Sequence, residues 1–379
     1  MDGNHKIKIG FVIWTLKNMG GSEKLIYDIV RKLSGQRFEK YLISLDDGPV
    51  KDIYQNLGVH VLTLENQTKL QKILKIRRYL LDNQIHIVNP HHFKTLFFTF
   101  LATLGIKVGL VHTEHSRWQM DEHFTRFEKF LNFLFLMRAW AVIAISNQIY
   151  RYYVDILHIN KDKVYLIKNG IELNSFKRAD GKRVRRELKI GAHEKIIGMI
   201  AHVRPEKNHG LLINAFNRLV RKHNHVHLVL AGFDFSAGKL SSMIGNSAAA
   251  EKIHYIGPCN DVPGLLSTFD LFCLTSIKEG MPLSILEAMA SGVAVIGNDT
   301  VGINEVLEDH INGLLFEKNN EDSLVLALEK LIENEPLRES IARAGKNYVH
   351  QNYCLDEKIS AYDDLFKKLE SRIRRKSLN

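Results

Sequence analysis

The strongest constraint on this chain is a rhythm. Short runs of β-branched and apolar residues alternate with longer segments of helical periodicity, and the series occurs twice. In the first half the strand-like runs are "IKIGFVI", "KYLISL", "VHVLTL", "IHIVNP", "KVGLVHT", "AVIAIS" and "VYLIKN". Helical patterns lie between them near 22–34, 69–82, 94–104, 121–137 and 147–157. A polar, basic stretch, "KRADGKRVRRELKI", then interrupts, and the rhythm restarts with "KIIGMIA", "VHLVLAG", "KIHYIG", "DLFCLTS", "VAVIGN" and "NGLLF". Alternating β and α segments build parallel sheets covered by helices on both faces. Strands buried on both faces read as unbroken apolar runs, as "AVIAIS" and "VAVIGN" do. The expected architecture is α/β, with two doubly wound parallel-sheet domains facing a cleft. Residues 1–180 form the first, 181–355 the second, and 356–379 a C-terminal helix packing back on the N-terminal domain.

With 379 residues and 45% hydrophobic content the chain exceeds one comfortable core, which agrees with two domains. Its three cysteines, Cys259, Cys273 and Cys354, are far apart and lack CxxC spacing, so neither a disulfide framework nor a cysteine metal site is expected. The apolar run in "HKIKIGFVIW" is too short for a signal peptide and has no small-residue cleavage site after it, so it reads as a first strand. The stretches "TLFFTFLATLGI" and "FLNFLFLM" fall short of the ~20 residues a spanning helix needs. A cytoplasmic protein is expected. The net charge is +10, and residues 1–180 hold 26 Lys+Arg against 17 Asp+Glu, whereas 181–379 hold 26 against 25. A basic half suits nucleic acid, an acidic membrane or a phosphorylated ligand. No RNP, helix-turn-helix or zinc motif supports nucleic acid.

Ligands of doubly wound sheets bind beyond the carboxyl ends of the strands. The unusual residues lie there. In "SIKEGMPLSILEAMASG" a strand ends near Ser276. Pro282 fits the first turn of the next helix and Gly292 its end. Glu279 then lies on the loop and Glu287 early in the helix, while first-turn N–H groups near Leu283 to Leu286 favour an anion. Two carboxylates for hydroxyls and a positive helix end for phosphate suit a nucleoside diphosphate sugar. A capped helix with Glu287 as a structural acid is the alternative. "AHVRPEKNH" offers Arg204 and Lys207, or a plain surface turn. "NMGGSEK" places Gly20 and Gly21 before a helix starting near Ser22, permitting close backbone approach, or simply a turn. "VHTEHS" ends another strand with His115, and His112 reads as structural. His91 and His92 follow "IHIVN" and meet an acceptor or pack. Asn169 and Gly170 shape the domain junction.

The stretch from Lys278 to Phe316 resembles the signature of retaining glycosyltransferase family 4, of GT-B architecture with two Rossmann-like domains. The matching residues are Glu279, Gly280, Pro282, Leu286, Glu287, Ala288, Met289, Ala290, Gly292, Gly302, Glu305 and Gly313. "MGGSEKLIYDIVRKL", "TEHS", "AVIAIS" and "IKNGIE" match in order, so the resemblance spans about residues 7–355. It implies transfer of a sugar from a nucleotide-diphosphate sugar to a saccharide or lipid-linked acceptor, with the first domain taking the acceptor and the second the donor. It implies that Glu279 faces the transferred sugar at its 3- and 4-hydroxyls, and that Glu287 holds the nucleotide ribose. The backbone at Ser284, Ile285 and Leu286 holds the diphosphate, with Arg204 and Lys207 as its cations. The Gly20–Gly21 loop touches the donor, and His115 lies near the reacting centre. One departure stands out: His202 occupies the place where the commonest pattern has arginine, so either Arg204 or His202 serves the diphosphate.

Many glycosyltransferases hold a divalent ion with Asp-x-Asp, which is absent here. "LDDG" at 45–48 has the wrong spacing, so no metal and no other cofactor is expected. The rival readings are a phosphorylase or epimerase of the same fold, or an idle nucleotide-sugar-binding partner. Relatives acting on lipid-linked acceptors make an anionic membrane surface a further expected partner, with the chain peripheral on the cytoplasmic face. In "TKLQKILKIRRYLLDN" a helical wheel puts Lys69, Lys72, Lys75 and Arg78 on one side. It puts Leu70, Ile73, Leu74, Leu80 and Leu81 on another, expected to face the sheet.

Overall fold

The computed structural model describes residues 6–115, 125–177 and 181–377. Ser116 of "TEHS", the beginning of the helix expected near 121–137, and residues 178–180, where the expected first domain ends, lie outside the described residues. The first sheet contains β1 (Ile7–Ile13), β2 (Phe38–Ser44), β3 (His60–Thr63), β4 (Ile87–Pro90), β5 (Gly109–Glu114), β6 (Ala141–Ala144) and β7 (Val164–Leu166). Its order is β3-β2-β1-β4-β5-β6-β7. The second contains β8 (Lys195–Ile200), β9 (Val226–Ala231), β10 (Ile253–Tyr255), β11 (Leu271–Leu274), β12 (Ala294–Asn298) and β13 (Leu314–Phe316), in the order β10-β9-β8-β11-β12-β13. Their strand pairings are parallel; β1 runs beside β2 from Ile7↔Phe38 to Ile13↔Ser44 and beside β4 from Ile9↔Ile87 to Val12↔Pro90. The two doubly wound α/β sheets expected from the rhythm are therefore present.

The helices are α1 (Gly21–Lys32), α2 (Val50–Gln55), α3 (Lys69–Asp82), α4 (Phe93–Ala102), α5 (Arg126–Arg138), α6 (Asn147–Arg151) and α7 (Lys182–Glu187) in the first stretch of chain. Then come α8 (His209–Leu219), α9 (Lys239–Gly245), α10 (Val262–Leu266), α11 (Leu283–Ser291), α12 (Glu321–Glu333), α13 (Glu335–Asn352) and α14 (Leu355–Ser377). Among the described residues none is long and apolar enough to cross a membrane. In each sheet the chain winds outward from its first strand, crosses back, and winds outward the other way. The reversals lie between β1 and β4 and between β8 and β11. In doubly wound sheets, loops leaving such a pair of strands diverge to opposite faces at the carboxyl edge, where ligands bind.

The chain divides into two compact units, Met1–Asn169 with Asp356–Asn379, and Gly170–Leu355. The division precedes the basic stretch instead of falling at 180/181. Ile171 N donates to Tyr353 O (2.9 Å) and Leu355 N to Ile171 O (3.1 Å), which ties "NGIE" to the end of α13 in the second unit. The C-terminal helix returns to the first unit. Phe366 of α14 packs edge-on against Phe11 and Phe38, with ring centroids 6.4 and 6.3 Å apart. Lys32 pairs with Asp356 at 2.7 Å and Arg37 with Asp363 at 2.8 Å around it.

The face of α3 differs from the wheel. Only Ile76 and Leu80 are buried; Leu70, Leu74 and Leu81 are 66, 55 and 50% exposed. Arg77 donates to Ala102 O and Leu104 O at the end of α4, and Lys72 Nζ to Leu45 O at 2.7 Å. These tethers turn two cations inward and roll three leucines out. The outer face of α3 is thus mixed, apolar and basic, not purely charged.

Phe366 is fully buried between strands β1 and β2 and α14. Phe366→Ala should destabilise the first unit by about 3–5 kcal/mol, read as a shift of its urea unfolding midpoint, with the second unit unaffected.

Candidate active site

In the second unit, β8 and β11 deliver two loops to one place. After β8 comes a single 3-10 turn, Pro205–Lys207, ended by Asn208 at φ 52°. After β11 comes the loop carrying Glu279. Ile277 N donates to Glu206 O (2.8 Å), and the Thr275 hydroxyl lies 3.0 Å from the carbonyls of both Lys207 and Asn208. The loops are thereby stitched together, and Lys207 Nζ meets Glu279 Oε1 at 2.5 Å. Lys207 is 22% and Glu279 12% exposed, so the pair is shielded from water without being sealed off. Charge-assisted hydrogen bonds of this kind are short and strong. Glu279 is held by its own backbone too: its N–H donates to Val301 O at 3.0 Å. Gly302, at φ +87°, passes so close that a Cβ there would sit 2.2 Å from Glu279 O. Only glycine fits that conformation and that approach.

Helix α11 follows. Pro282 is its N-cap in extended backbone (φ −76°, ψ 104°), one residue outside the helix rather than in its first turn. No side chain caps the end, so the N–H groups of Leu283, Ser284 and Ile285 lack intrahelical acceptors. Ile285 and Leu286 bury their side chains completely. What they present is backbone, in keeping with an anion-binding helix end. Glu287 lies mid-helix, 7% exposed, and Gly292 closes the helix in the left-handed conformation.

His202 and Arg204 converge on one aromatic ring. His202 Nδ1 accepts from Phe233 N (3.2 Å) and its ring stands edge-on to Phe235. The Arg204 guanidinium carbon lies 4.5 Å from the Phe235 ring centre. Arg204 meets Lys207 through the backbone, its carbonyl accepting from Lys207 N at 3.0 Å. Phe233 and Phe235, both over 40% exposed, were not foreseen. They follow β9 in "AGFDFS", and paired aromatics in a polar loop after a strand were the available signal.

In the first unit the loops after β1, β4 and β5 carry the expected residues. Helix α1 starts at Gly21 with Gly20 as N-cap. A Cβ at Gly20 would sit 2.7 Å from Glu23 Oε2, so this helix end already faces a carboxylate of its own first turn. An incoming anion there competes with Glu23.

His115 is part of a larger cluster. His91 Nδ1 lies 2.7 Å from His115 Nε2, and His91 Nε2 lies 3.1 Å from Asn89 Oδ1. His92, at φ +71°, also packs on the His115 ring, with centroids 4.6 Å apart. Glu114, 1% exposed, accepts from His115 N at 2.8 Å and has His92 and His112 each at 3.5 Å. At that distance the last two are electrostatic contacts rather than well-formed hydrogen bonds. Burial opposes charge on Glu114, yet His112 and His92 outweigh it and hold the carboxyl well below its usual range. Burial first, then neighbouring histidines, pushes His91 and His115 well below the ordinary imidazole value. Glu114 was missed and His112 read as a bystander. Residues two apart on a strand share a face, so "HTE" already put this carboxylate beside that histidine.

Two doubly wound domains with this edge chemistry define the GT-B class of glycosyltransferase. The profile described as Glycosyltransferase Family 4 matches residues 19–175, and that described as Glycosyl transferases group 1 matches residues 180–348. The chain belongs to the family 4 glycosyltransferases. It is similar to the UDP-Gal:α-D-GlcNAc-diphosphoundecaprenol α-1,3-galactosyltransferase of Escherichia coli, 23% identical over 95% of this chain and 97% of that one. It is also similar to the N-acetyl-α-D-glucosaminyl L-malate synthase of Bacillus anthracis, 24% identical over 95% and 97%. Among solved structures, Anabaena HepE in complex with UDP-glucose matches with a TM-score of 0.86 and 22% identity, covering 96% of this chain and all of that one. Sucrose-phosphate synthase from Thermosynechococcus elongatus matches with a TM-score of 0.82 at 14% identity, covering 97% and 100%.

The buried histidines make a pH prediction. Groups whose folded values are depressed bind protons more readily when unfolded, so stability is complete above the ordinary value of 6.5 and falls as pH drops below it. Glu114 adds a separate loss only below its ordinary value of 4.5. Urea unfolding of the first unit should therefore weaken steadily from pH 7.5 to 5. His91→Gln should flatten that slope.

Proposed function

We propose that this chain is a retaining glycosyltransferase that moves a sugar from a nucleotide-diphosphate sugar to a saccharide or lipid-linked acceptor, in cell-surface polysaccharide or glycoconjugate synthesis. The second unit takes the donor and the first the acceptor. The observation that carries the reading is the Lys207–Glu279 pair beside the uncapped start of α11, with Glu287 one turn further on. A lysine and open N–H groups suit a diphosphate, and an ionised glutamate suits sugar hydroxyls. When the donor arrives, the diphosphate draws Lys207 and the sugar hydroxyls replace it on Glu279. Glu287 holds the ribose, Arg204 adds a second cation, and His115 accepts from a substrate hydroxyl.

The acceptor oxygen bonds to the anomeric carbon on the face that the diphosphate leaves. The bond from that carbon to the phosphate oxygen breaks, and the acceptor proton passes to the departing phosphate. Lys207 and the helix end stabilise the charge that grows there. These groups can neutralise the diphosphate without a divalent ion, so the reaction is metal-independent.

The partner surface is an anionic bilayer at the cytoplasmic face. Support comes from α5, where Phe127, Phe130, Leu134 and Met137 are 65, 56, 42 and 49% exposed along one stripe, with Arg126, Lys129 and Arg138 on the same helix. The mixed outer face of α3 adds Leu70, Leu74, Lys75 and Arg78. Each basic residue near an anionic surface contributes about 1 kcal/mol, and the apolar side chains add insertion into the interface.

A panel of nucleotide sugars, assayed for release of free nucleoside diphosphate, identifies the donor. With that donor Glu279→Gln should stay folded and lose on the order of 100-fold in kcat, and saturating chelator should change the rate little. A near-normal kcat, or full loss restored by Mg²⁺ or Mn²⁺, contradicts the respective part of the reading. The protein should co-sediment with anionic but not neutral vesicles and be released by high salt. Replacing Phe127, Phe130 and Leu134 with Ser should weaken that binding. No sedimentation with anionic vesicles at low salt makes a soluble acceptor the better account.

A further inference from the structure

The cluster after β4 and β5 contains a one-way hydrogen-bond chain, and its direction follows from its first link. Val111 O can only accept, and Asn89 Nδ2 donates to it at 2.9 Å. The amide is thereby oriented, and its Oδ1 faces His91 Nε2 at 3.1 Å. Thr113 Oγ1 lies 3.0 Å from Asn89 Nδ2 and 3.4 Å from its Oδ1, and as a hydroxyl it satisfies either orientation, so the Val111 carbonyl alone sets the direction. An amide oxygen can only accept, so His91 carries its proton on Nε2. His91 is completely buried, and the groups around it are His115, His92, His112 and the more distant Glu114. With no carboxylate hydrogen-bonded to it, the ring is neutral and its Nδ1 is a bare acceptor. The 2.7 Å contact to His115 Nε2 must then be filled by a proton on His115. Among the described residues no donor engages His115 Nδ1, which is left as the acceptor of a neutral ring.

We propose that Asn89 and His91 are positioning residues that hold His115 as the neutral Nε2–H tautomer and offer its Nδ1 lone pair to a substrate hydroxyl. This rests on the reading that His115 meets the substrate. The arrangement has a chemical reason. Loss of the diphosphate leaves positive charge on the anomeric carbon, and an imidazolium nearby would oppose it. A neutral acceptor orients a hydroxyl without that cost. A histidine whose second nitrogen is committed elsewhere cannot flip or exchange tautomers. The backbone supports the lock: His91 bridges Thr113 across β4 and β5, and His115 N is held by Glu114. His91 and His115 therefore keep one register whatever enters the site.

The test is ¹⁵N NMR of the full-length protein with labelled histidine at pH 7.5, with His115 assigned by the signals lost in His115→Gln among the 18 histidines. The expected spectrum has a protonated Nε2 and an unprotonated Nδ1 for His115. An Nδ1–H tautomer or an imidazolium overturns the proposal, and because this is read on the wild type it does not depend on any variant folding. His91→Phe keeps a ring but removes the acceptor; it should let His115 exchange between tautomers and lower kcat about tenfold, the worth of one hydrogen bond, with donor KM little changed. His91→Gln, which restores an acceptor oxygen, should recover part of the loss. A folded His91→Phe with unchanged tautomer and kcat also overturns it. If instead His115→Gln remains fully active, the role given to His115 fails while the tautomer stands or falls on its own spectrum.

Discussion

The second unit of this protein is organised around one ion pair at a topological switch point. Lys207 and Glu279 belong to loops that leave β8 and β11, the neighbouring strands between which the winding reverses. Each side chain is anchored before they meet. Asn208 in left-handed backbone and the Thr275 hydroxyl fix the lysine turn, while Val301 and Gly302 fix the glutamate loop. A pair assembled this way keeps its geometry when the partners separate, because neither loop relies on the salt bridge for its path. A cation ready for phosphate and an anion ready for hydroxyls can then stand side by side, each satisfying the other's charge.

The first unit solves a different problem with the same topology. Beyond β4 and β5 it gathers His91, His92, His112, Glu114 and His115 into a nearly dry cluster. Isolated buried charges are expensive; burial keeps His91 and His115 neutral, while His112 and His92 hold the Glu114 carboxylate ionised. Hydrogen-bond direction, set by a backbone carbonyl through Asn89, does the rest. One unit thus presents fixed charges and the other a fixed lone pair. That division suits a reaction whose leaving group is anionic and whose sugar becomes transiently cationic.

The architecture was legible because parallel strands buried on both faces leave unbroken apolar runs, and "AVIAIS" or "VAVIGN" can hardly be read otherwise. The placement of Glu279, Lys207 and the α11 backbone followed from the rule that loops at strand carboxyl ends carry the ligands. What failed to show was set by tertiary contact. Helix α2 is too short for periodicity to register. Leu70, Leu74 and Leu81 of α3 look like a core face until the tethers of Lys72 and Arg77 turn them outward. The "NGIE" segment looks like an end of the first domain, yet its pairing with Tyr353 and Leu355 carries it into the second. His112 reads as a bystander in a chain of many histidines, although its two-residue spacing from Glu114 on β5 puts both on one face.

The central claim is that Lys207 serves the diphosphate and Glu279 the sugar, each at the other's expense when the site fills. Calorimetric titration of Lys207→Met and Glu279→Gln with the donor, and separately with its free nucleoside diphosphate, measures this directly. The account predicts that Lys207→Met weakens both ligands. Glu279→Gln, by releasing Lys207, should leave the free diphosphate bound as tightly or tighter while weakening the nucleotide sugar. Equal weakening of both ligands by Glu279→Gln, or no effect of Lys207→Met on the diphosphate, would contradict it.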